Sequence, residues 1–327
     1  MSTSVAGVLY MSNARGASAV IAPFGATLVE LRMPDRAGQL GNVILALDQI
    51  RAYVNQPFFM GAICGRVANR IRNARFELDG LTFELPANDP PHHLHGGPNG
   101  WYRAYWTTQP FDNPDGPAVA LTHNSPAGDA GYPGTVQTRI IYQLTHDNQL
   151  RISMRATTDR PTPLNLTQHT YWNLAGAGTI LDHQLQVLAE TYTPGDPIVP
   201  TGAIAPVQGT PLDYRSPRPV GPDLDHNFVV GQPDGELREV ARLTDPKSGR
   251  VMAVRTDQPG LQVYAGKFLD GSTSGRGVTH VRHAGVCLET QAFPNAINVP
   301  DWRGQVLLQP GQTYKHTVVY AFSTDGT

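Results

Sequence analysis

The sequence predicts an all-β protein built as one large antiparallel β-sandwich, and three observations support this prediction. Its 33 glycines and 28 prolines are spread over all 327 residues, so they divide the chain into short segments and mark no linker. Between them lie runs with period-two alternation or β-branched residues, such as ARFELDGLTFEL and VQTRIIYQLTHDNQLRISMRATT. Helical periodicity with capping residues is scarce. So many short strands need two packed sheets or a closed barrel, and we favour the sandwich.

Turn-forming residues mark the boundaries of the predicted elements along the chain. ASAVIAPFGATLVELRMP supplies the first strands, and LDQIRAY (47–53) is the first short helical piece. Asp79-Gly80 lies between ARFEL and LTFEL, where it suits a type I′ hairpin turn. HDNQ (146–149) predicts a second turn, between YQL and LRISMRA, and DYRSP (213–217) is a second short helical piece. No repeat or shift in composition divides the chain, which predicts a single domain over residues 1–327.

Charge and composition exclude several classes of partner. The formal net charge is −2 with a pI of about 6.6, and no Lys- or Arg-rich patch is present, so nucleic acid and membrane are not expected partners. The chain has no signal-like start and no apolar run near the roughly 20 residues of a membrane span. We therefore expect a cytoplasmic protein, as a monomer or homodimer. Cys64 and Cys287 are too few for a disulfide framework, and we expect two half-buried thiols.

Residues 163–176, PLNLTQHTYWNLAG, place a row of polar side chains on one face of a predicted strand. If residues 164–173 are extended, alternation directs five of these side chains to the same side: Asn165, Thr167, His169, Tyr171 and Asn173. A solvated strand would carry Lys, Glu and Arg, which are missing here. Two interpretations stay open, a face that contacts a ligand and a buried polar network that braces two sheets.

Three other segments carry candidate site residues on apolar strands. In VCLETQ, Glu289 shares a face with Cys287, and a carboxylate there is costly unless it is paired or acts as a base. PGLQVYAG (259–266) repeats this design with Gln262. LDHNFVV (224–230) places Asp225 before an apolar run, which by itself reads as a turn at the start of a strand.

Two glycine-containing loops complete the set. GAICGRVANRI lacks the lysine and spacing of a phosphate-binding loop. Two interpretations of Asn69 and Arg70 stay open: they contact polar groups of a ligand, or they have a structural role. In HHLHGG, the H-H-x-H spacing matches no established metal site, and metal binding is the weaker interpretation. We expect His95 to contact a ligand, with Gly96-Gly97 removing side-chain bulk. Four aromatic residues follow this loop: Trp101, Tyr102, Tyr105 and Trp106. They either stack on a sugar or pack in the core, and we expect core packing for most of them.

Taken together and in this order, these segments resemble the aldose 1-epimerases, or mutarotases, of the galactose-mutarotase-like superfamily. The resemblance runs along nearly the whole chain, through FGATLVELRMPDRAGQLGNVILALD, GAICGRVANRI, HHLHGGPNGWYRAYW, PLNLTQHTYWNLAG, LDHNFVV, PGLQVYAGKFLDG, VCLETQAFPNAINVPDW and LLQPGQTYKHTVVYAFS. It implies a β-supersandwich with few short helices. It also implies an isomerase of hexose metabolism that binds a monosaccharide and needs no metal or other cofactor.

The resemblance also implies roles for individual residues. Glu289 resembles the general base and His169 the general acid of a reaction that opens and recloses the sugar ring. The implied substrate-positioning residues are Arg70, His95, Asp225 and Gln262, with Asn69 assisting; His92 and His93 receive no role. We expect hydrogen bonds and the nearby imidazolium to keep Glu289 ionised, and the imidazole to titrate near 6.5.

Other functions compete with this one. A carbohydrate-binding module or lectin on the same sandwich would use the polar faces without moving a proton. A glycoside hydrolase or lyase would use Asp225 and Glu289 as a carboxylate pair. A metallohydrolase built on the histidines is the weakest of these. The sequence leaves open which aldose is preferred.

Overall fold

Antiparallel sheets with short connections form the protein. The computed structural model describes residues 2–5, 7–232 and 234–326. Within these ranges every pairing between strands is antiparallel. The helices of the described residues are short 3₁₀ turns, none of which has the length or apolar character to cross a bilayer.

Three sheets contain most of the strands. The first sheet runs in the order Thr107–Phe111, Ala118–Ser125, Val136–Leu144, Gln149–Thr158, Tyr314–Thr324, Arg250–Thr256, Arg238–Thr244, Gln184–Val187 and Arg218–Pro219. The second runs in the order Tyr171–Trp172, Val286–Gln291, Gly260–Tyr264, Asp225–Val229, Thr191–Thr193 and Ala205–Pro206. The third contains Ser2–Val5, Val8–Ser12, Ser18–Ala22, Thr27–Pro34 and Leu40–Asn42.

Short hairpins and 3₁₀ turns complete the structure. The paired short strands are Ile63–Cys64 with Thr167–Gln168, Arg70–Ile71 with His93–Leu94, Arg75–Leu78 with Leu81–Glu84, Thr162–Pro163 with Leu307–Leu308, and Ser274–Gly275 with Val278–Thr279. The 3₁₀ turns span Ile50–Val54, Arg72–Ala74, Trp101–Arg103, Asp129–Gly131, Ala296–Asn298 and Arg303–Gln305.

Period-two alternation builds the core between the sheets. Along strand Gln149–Thr158 the side chains of Leu150, Ile152 and Met154 are fully buried, while Arg151 and Arg155 on the other face are exposed. These three residues belong to the same hydrophobic cluster as Leu261 and Val263 of the second sheet. Burying each such side chain stabilises the fold by about 1.5–3 kcal/mol. The predicted all-β sandwich is confirmed.

The predicted turns are confirmed, the first predicted helical piece forms in part, and the second does not form. Asp79 and Gly80 have φ values of 51° and 76°, as a type I′ turn requires, and a turn also joins Val136–Leu144 to Gln149–Thr158. A short helical piece was expected around LDQIRAY (47–53), and a 3₁₀ turn spans Ile50–Val54, so the piece begins three residues later. DYRSP forms no helix: residues 215 and 216 form a bend, and the Asp213 carboxylate accepts hydrogen bonds from the guanidinium of Arg215.

Residues 163–176 do not form the continuous strand that their alternation predicts. Thr167–Gln168 pairs with Ile63–Cys64, whereas Tyr171–Trp172 pairs with Val286–Cys287 in the second sheet. The chain changes partners between them, at His169. Asn165 bonds the backbone of Ala292, and Asn173 donates to the carbonyl of Ala284. The bracing interpretation therefore holds for the two ends of this segment.

Candidate active site

The residues predicted for the site meet in one cavity of about 120 Å³ above the second sheet. The seven predicted residues all line it: Asn69, Arg70, His95, His169, Asp225, Gln262 and Glu289. The remaining lining residues are Pro57, Phe58, Phe59, Leu94, Tyr171, Tyr264 and Phe268. Segments far apart in the sequence thus converge on a single space.

Strand register sets the floor of this cavity. Gln262 lies directly opposite Glu289, and Asp225 lies directly opposite Tyr264. Because side chains alternate between the two faces of a strand, all four point away from the sandwich core, which receives Leu261 and Val263. Asp225 was read by itself as part of a turn, but it begins strand Asp225–Val229 and faces the cavity. That first interpretation is wrong.

His169 faces Glu289 across the cavity. Its backbone is fixed on both sides, since its N–H donates to the carbonyl of Ala62 and its carbonyl accepts from Gly61, both at 2.9 Å. Nε2 lies 3.7 Å from Oε1 of Glu289, and both side chains are at most 5% exposed. Nδ1 lies 3.6 Å from Sγ of Cys287. A proton acceptor and a proton donor therefore face the same small volume.

Burial shifts both groups away from their charged forms. It raises the pKa of Glu289 to about 8, with a smaller contribution from Asp225, and it lowers the pKa of His169 to about 4. Oε2 of Glu289 has no hydrogen-bond partner among the described residues. The expectation of an ionised Glu289 and an imidazole titrating near 6.5 is thus wrong for the free protein. Between these two pKa values the pair holds one proton.

His95 presents a hydrogen-bond donor to the cavity. The backbone N–H of Asn69 donates to its Nδ1 at 3.1 Å, so in the neutral ring the proton is on Nε2. Burial lowers the pKa of His95 well below 6.5, with His169 as the next cause, and this keeps the ring neutral. We had expected Gly96 to make room for a ligand, and this expectation is wrong. A Cβ at this position would lie 1.8 Å from the carbonyl oxygen of Gly65.

Three other polar residues that line the cavity, Arg70, Asp225 and Gln262, are held by partners. Nε of Arg70 lies 2.6 Å from Oδ2 of Asp89. The amide of Gln262 donates to Oδ1 of Asp225 at 2.8 Å, and Nζ of Lys267 lies 3.5 Å from Oδ2 of the same carboxylate. These contacts fix the side chains in positions suited to grip the hydroxyl groups of a ligand.

The three histidines of HHLHGG separate in the structure. His92 accepts a hydrogen bond from the backbone of Asn73, and Nδ1 of His93 contacts the carbonyl of Pro86 at 2.7 Å. They form no H-H-x-H metal site. A different set, His95, His169 and Glu289, has ligand atoms within 4.8 Å of one another. This donor set suits a divalent metal such as zinc as well as proton transfer. The effect of a chelator on the rate distinguishes these two functions.

Sequence reasoning missed the aromatic walls of the cavity. The ring of Phe59 lies 4.7 Å from that of His95 and 5.6 Å from that of His169. Phe268 is 62% exposed at the edge of the cavity and stacks on Tyr264. Neither QPFFMG nor GKFLDG shows a pattern that separates such residues from core aromatics. Three of the four aromatics after HHLHGG are buried, and Tyr105 is exposed.

The predicted burial of the two thiols is also wrong. Both cysteines are fully buried rather than half-buried. Cys287 stands next to Glu289 on the cavity face and contacts the proposed acid. The alternation of VCLETQ had placed Cys287 on this face without assigning it a role.

A larger groove of about 520 Å³ lies on the first sheet, beside Arg139 and Arg155. Among the described residues that line it there is no carboxylate. It therefore lacks the buried acid–base pair of the smaller cavity, which is the better candidate for chemistry.

Comparisons with known proteins identify the family of this chain. The family model described as aldose 1-epimerase matches residues 7–321. Galactose mutarotase from Rattus norvegicus and from Homo sapiens are each 40% identical over 315 residues, which cover 93% of this chain and 90% of theirs. Aldose 1-epimerase from Escherichia coli K12 is 33% identical over 331 residues, covering 96% of this chain and 94% of its own.

Solved structures give the same result. An aldose epimerase homologue from C. elegans has a TM-score of 0.90 and 33% identity, covering 97% of this chain and 99% of its own. Galactose 1-epimerase from Lactobacillus acidophilus has a TM-score of 0.86 and 28% identity, covering 97% and 94%. The chain belongs to the aldose 1-epimerase family.

Proposed function

We propose that Glu289 and His169 interconvert the α and β anomers of a free aldose by moving two protons across the sugar ring. Family membership makes the protein an isomerase of aldoses, and the residue roles are our proposal. The observation that supports them is the 3.7 Å separation of Glu289 Oε1 and His169 Nε2 at one cavity. A lectin or a hydrolase on this sandwich is not favoured.

The reaction uses the single proton that the pair holds. Sugar hydroxyls would donate to Oε2 of Glu289, which no described residue contacts through a hydrogen bond, and would so favour the carboxylate, which shifts the proton to His169. Glu289 then removes the proton from the anomeric hydroxyl while Nε2 of His169 protonates the ring oxygen, and the ring opens. Rotation about the bond next to the aldehyde exposes its other face. Ring closure returns both protons, and each group contributes about 10²–10⁴ in rate.

The other polar residues would orient the sugar. His95 Nε2–H, the Arg70 guanidinium and the Gln262 and Asn69 amides donate hydrogen bonds, while Asp225 accepts them. The aromatic faces of Phe59 and Phe268 would cover the apolar side of the ring. We further propose that the substrate reaches the protein in the cytoplasm, and that a monomer or homodimer acts without a nucleic-acid partner.

Asp225→Asn is expected to weaken substrate binding and to shift the pH profile. The loss of a charged acceptor raises KM about 10-fold to 100-fold. The negative charge of Asp225 also raises the pKa of Glu289, so its removal moves the alkaline limb to lower pH. Polarimetric kcat and KM across pH measure both effects. An unchanged KM would contradict the positioning role.

The rate should depend on pH as a plateau with two limbs. Below a pH of about 4 the pair gains a second proton and has no base, and above about 8 it loses its proton and has no acid. We expect kcat/KM to fall on both sides of this range. Mutarotation of freshly dissolved sugar in buffers from pH 3 to 10, corrected for the buffer rate, measures it. A flat profile contradicts the shared proton.

Polarimetry on single anomers tests the function itself. We expect the protein to accelerate equilibration of α-D-galactose, the sugar in the names of its 40% identical relatives, with glucose, xylose and arabinose as comparisons. Excess EDTA should leave the rate unchanged, whereas a metal mechanism requires a loss. Sugar binding without acceleration would support a lectin. Release of a reducing end from a disaccharide would support a hydrolase.

A further inference from the structure

We infer that Cys287 is a positioning residue for His169: its sulfur accepts a hydrogen bond from Nδ1–H, which leaves Nε2 as the nitrogen that exchanges protons with the sugar. This inference rests on the proposed function. Sγ of Cys287 lies 3.6 Å from Nδ1, within the range of a hydrogen bond to sulfur. On the opposite side of the ring Nε2 faces Glu289.

The reaction requires one fixed and one mobile proton on this imidazole. After His169 gives its Nε2 proton to the ring oxygen, Nε2 must stay bare until the ring closes and returns that proton. The remaining proton must therefore be on Nδ1, and the neutral ring keeps this tautomer only if Nδ1–H has an acceptor. Among the described residues, the hydrogen-bond partner of Nδ1 is the Cys287 sulfur.

Strand geometry holds the sulfur in this place. Cys287 pairs with Tyr171 of the edge strand on one side and with Tyr264 on the other, so its strand has a neighbour on both sides. It alternates with Val286 and Leu288, which point into the sandwich core. The thiol is therefore fixed two residues from Glu289, on the same strand and the same face.

A thiol suits an acid that must release its proton easily. A carboxylate at Nδ1 would stabilise the imidazolium strongly, whereas a neutral sulfur is a weak acceptor and stabilises it little. Burial and the nearby Glu289 raise the pKa of the Cys287 thiol well above its usual range, so it stays neutral. His169 is thus oriented without being locked in its charged form.

Substitution of each buried thiol separates this role from packing. Cys287→Ala is expected to lower kcat about 2-fold to 10-fold, the range of one lost ordinary hydrogen bond, with KM unchanged. Cys287→Ser restores an acceptor and should recover part of kcat. Cys64→Ala is the matched control, because it removes an equally buried thiol of the short strand Ile63–Cys64 and should keep the wild-type kcat.

The tautomer itself can be observed by ¹⁵N NMR of the folded protein, with the His169 signals assigned by comparison with His169→Asn. We expect Nδ1–H in the wild type and a shift toward Nε2–H in Cys287→Ala. An Nε2–H wild-type ring, or equal kcat values for Cys287→Ala and Cys64→Ala, would overturn the inference. A wild-type protein that does not accelerate mutarotation would overturn the proposed function instead, while the NMR spectrum still reports on the hydrogen bond.

Discussion

Glu289→Gln should slow anomer equilibration about 10²–10⁴-fold while the sugar still binds. The amide keeps the size of the carboxyl group and its place opposite Gln262, but it can neither take nor return a proton at the anomeric hydroxyl. Polarimetry gives the rate, and an equilibrium titration with galactose shows whether the site still binds. A variant with near wild-type kcat would exclude Glu289 as the base.

The same substitution should stabilise the fold at neutral and alkaline pH. Because the pKa of Glu289 rises from 4.5 to about 8 on folding, its contribution to stability is complete below pH 4.5 and is lost as the pH rises to about 8. The glutamine variant does not lose this part of its free energy of unfolding, which is on the order of a few kcal/mol above pH 8. Thermal unfolding of both proteins at pH 5 and pH 9 measures the difference. Equal melting temperatures at pH 9 would show that the carboxyl group is not desolvated.

His169→Asn is expected to have a similar effect on rate, about 10²–10⁴-fold, because the variant cannot protonate the ring oxygen. The acid limb near pH 4 should also disappear, since it reports the second proton on this ring. Sugar binding should persist, because the positioning residues are untouched. The pH profile and a galactose titration of the variant check these points. Retention of the acid limb would assign it to another group.

The stability of His169→Asn provides a second check. Burial lowers the pKa of His169 from 6.5 to about 4, so its contribution to stability is present above 6.5 and is lost as the pH falls to about 4. The variant should therefore lose less stability than the wild type between pH 6.5 and pH 4. Urea unfolding at these two pH values measures this.

Alternation and turn residues were sufficient to predict the sandwich and the face of most site residues. Leu261, Val263 and Glu289 lie where their strands predict, because period two is a local property of the chain. The 163–176 segment was less predictable. Its strands change partner at His169, and that change depends on long-range pairing with Ile63–Cys64 and Val286–Cys287, which no local pattern encodes.

Electrostatics and aromatic contacts were the least predictable features. The charge state expected for Glu289 assumed hydrogen-bond partners, but its Oε2 has none in the part of the chain that the structure describes, and desolvation is the largest cause of its pKa shift. Phe59 and Lys267 reach the site region from loops, where neighbouring residues do not determine side-chain direction. Their contacts with His95 and Asp225 follow from the fold alone.

The double variant E289Q/H169N tests most directly whether the two residues act as one proton-transfer unit on one bound sugar. Its kcat for α-D-galactose is measured by polarimetry at high protein concentration, beside both single variants. If each proton transfer requires the other, the double variant retains about the same residual rate as the slower single variant. Losses that multiply would mean that Glu289 and His169 act independently, which contradicts a single shared proton.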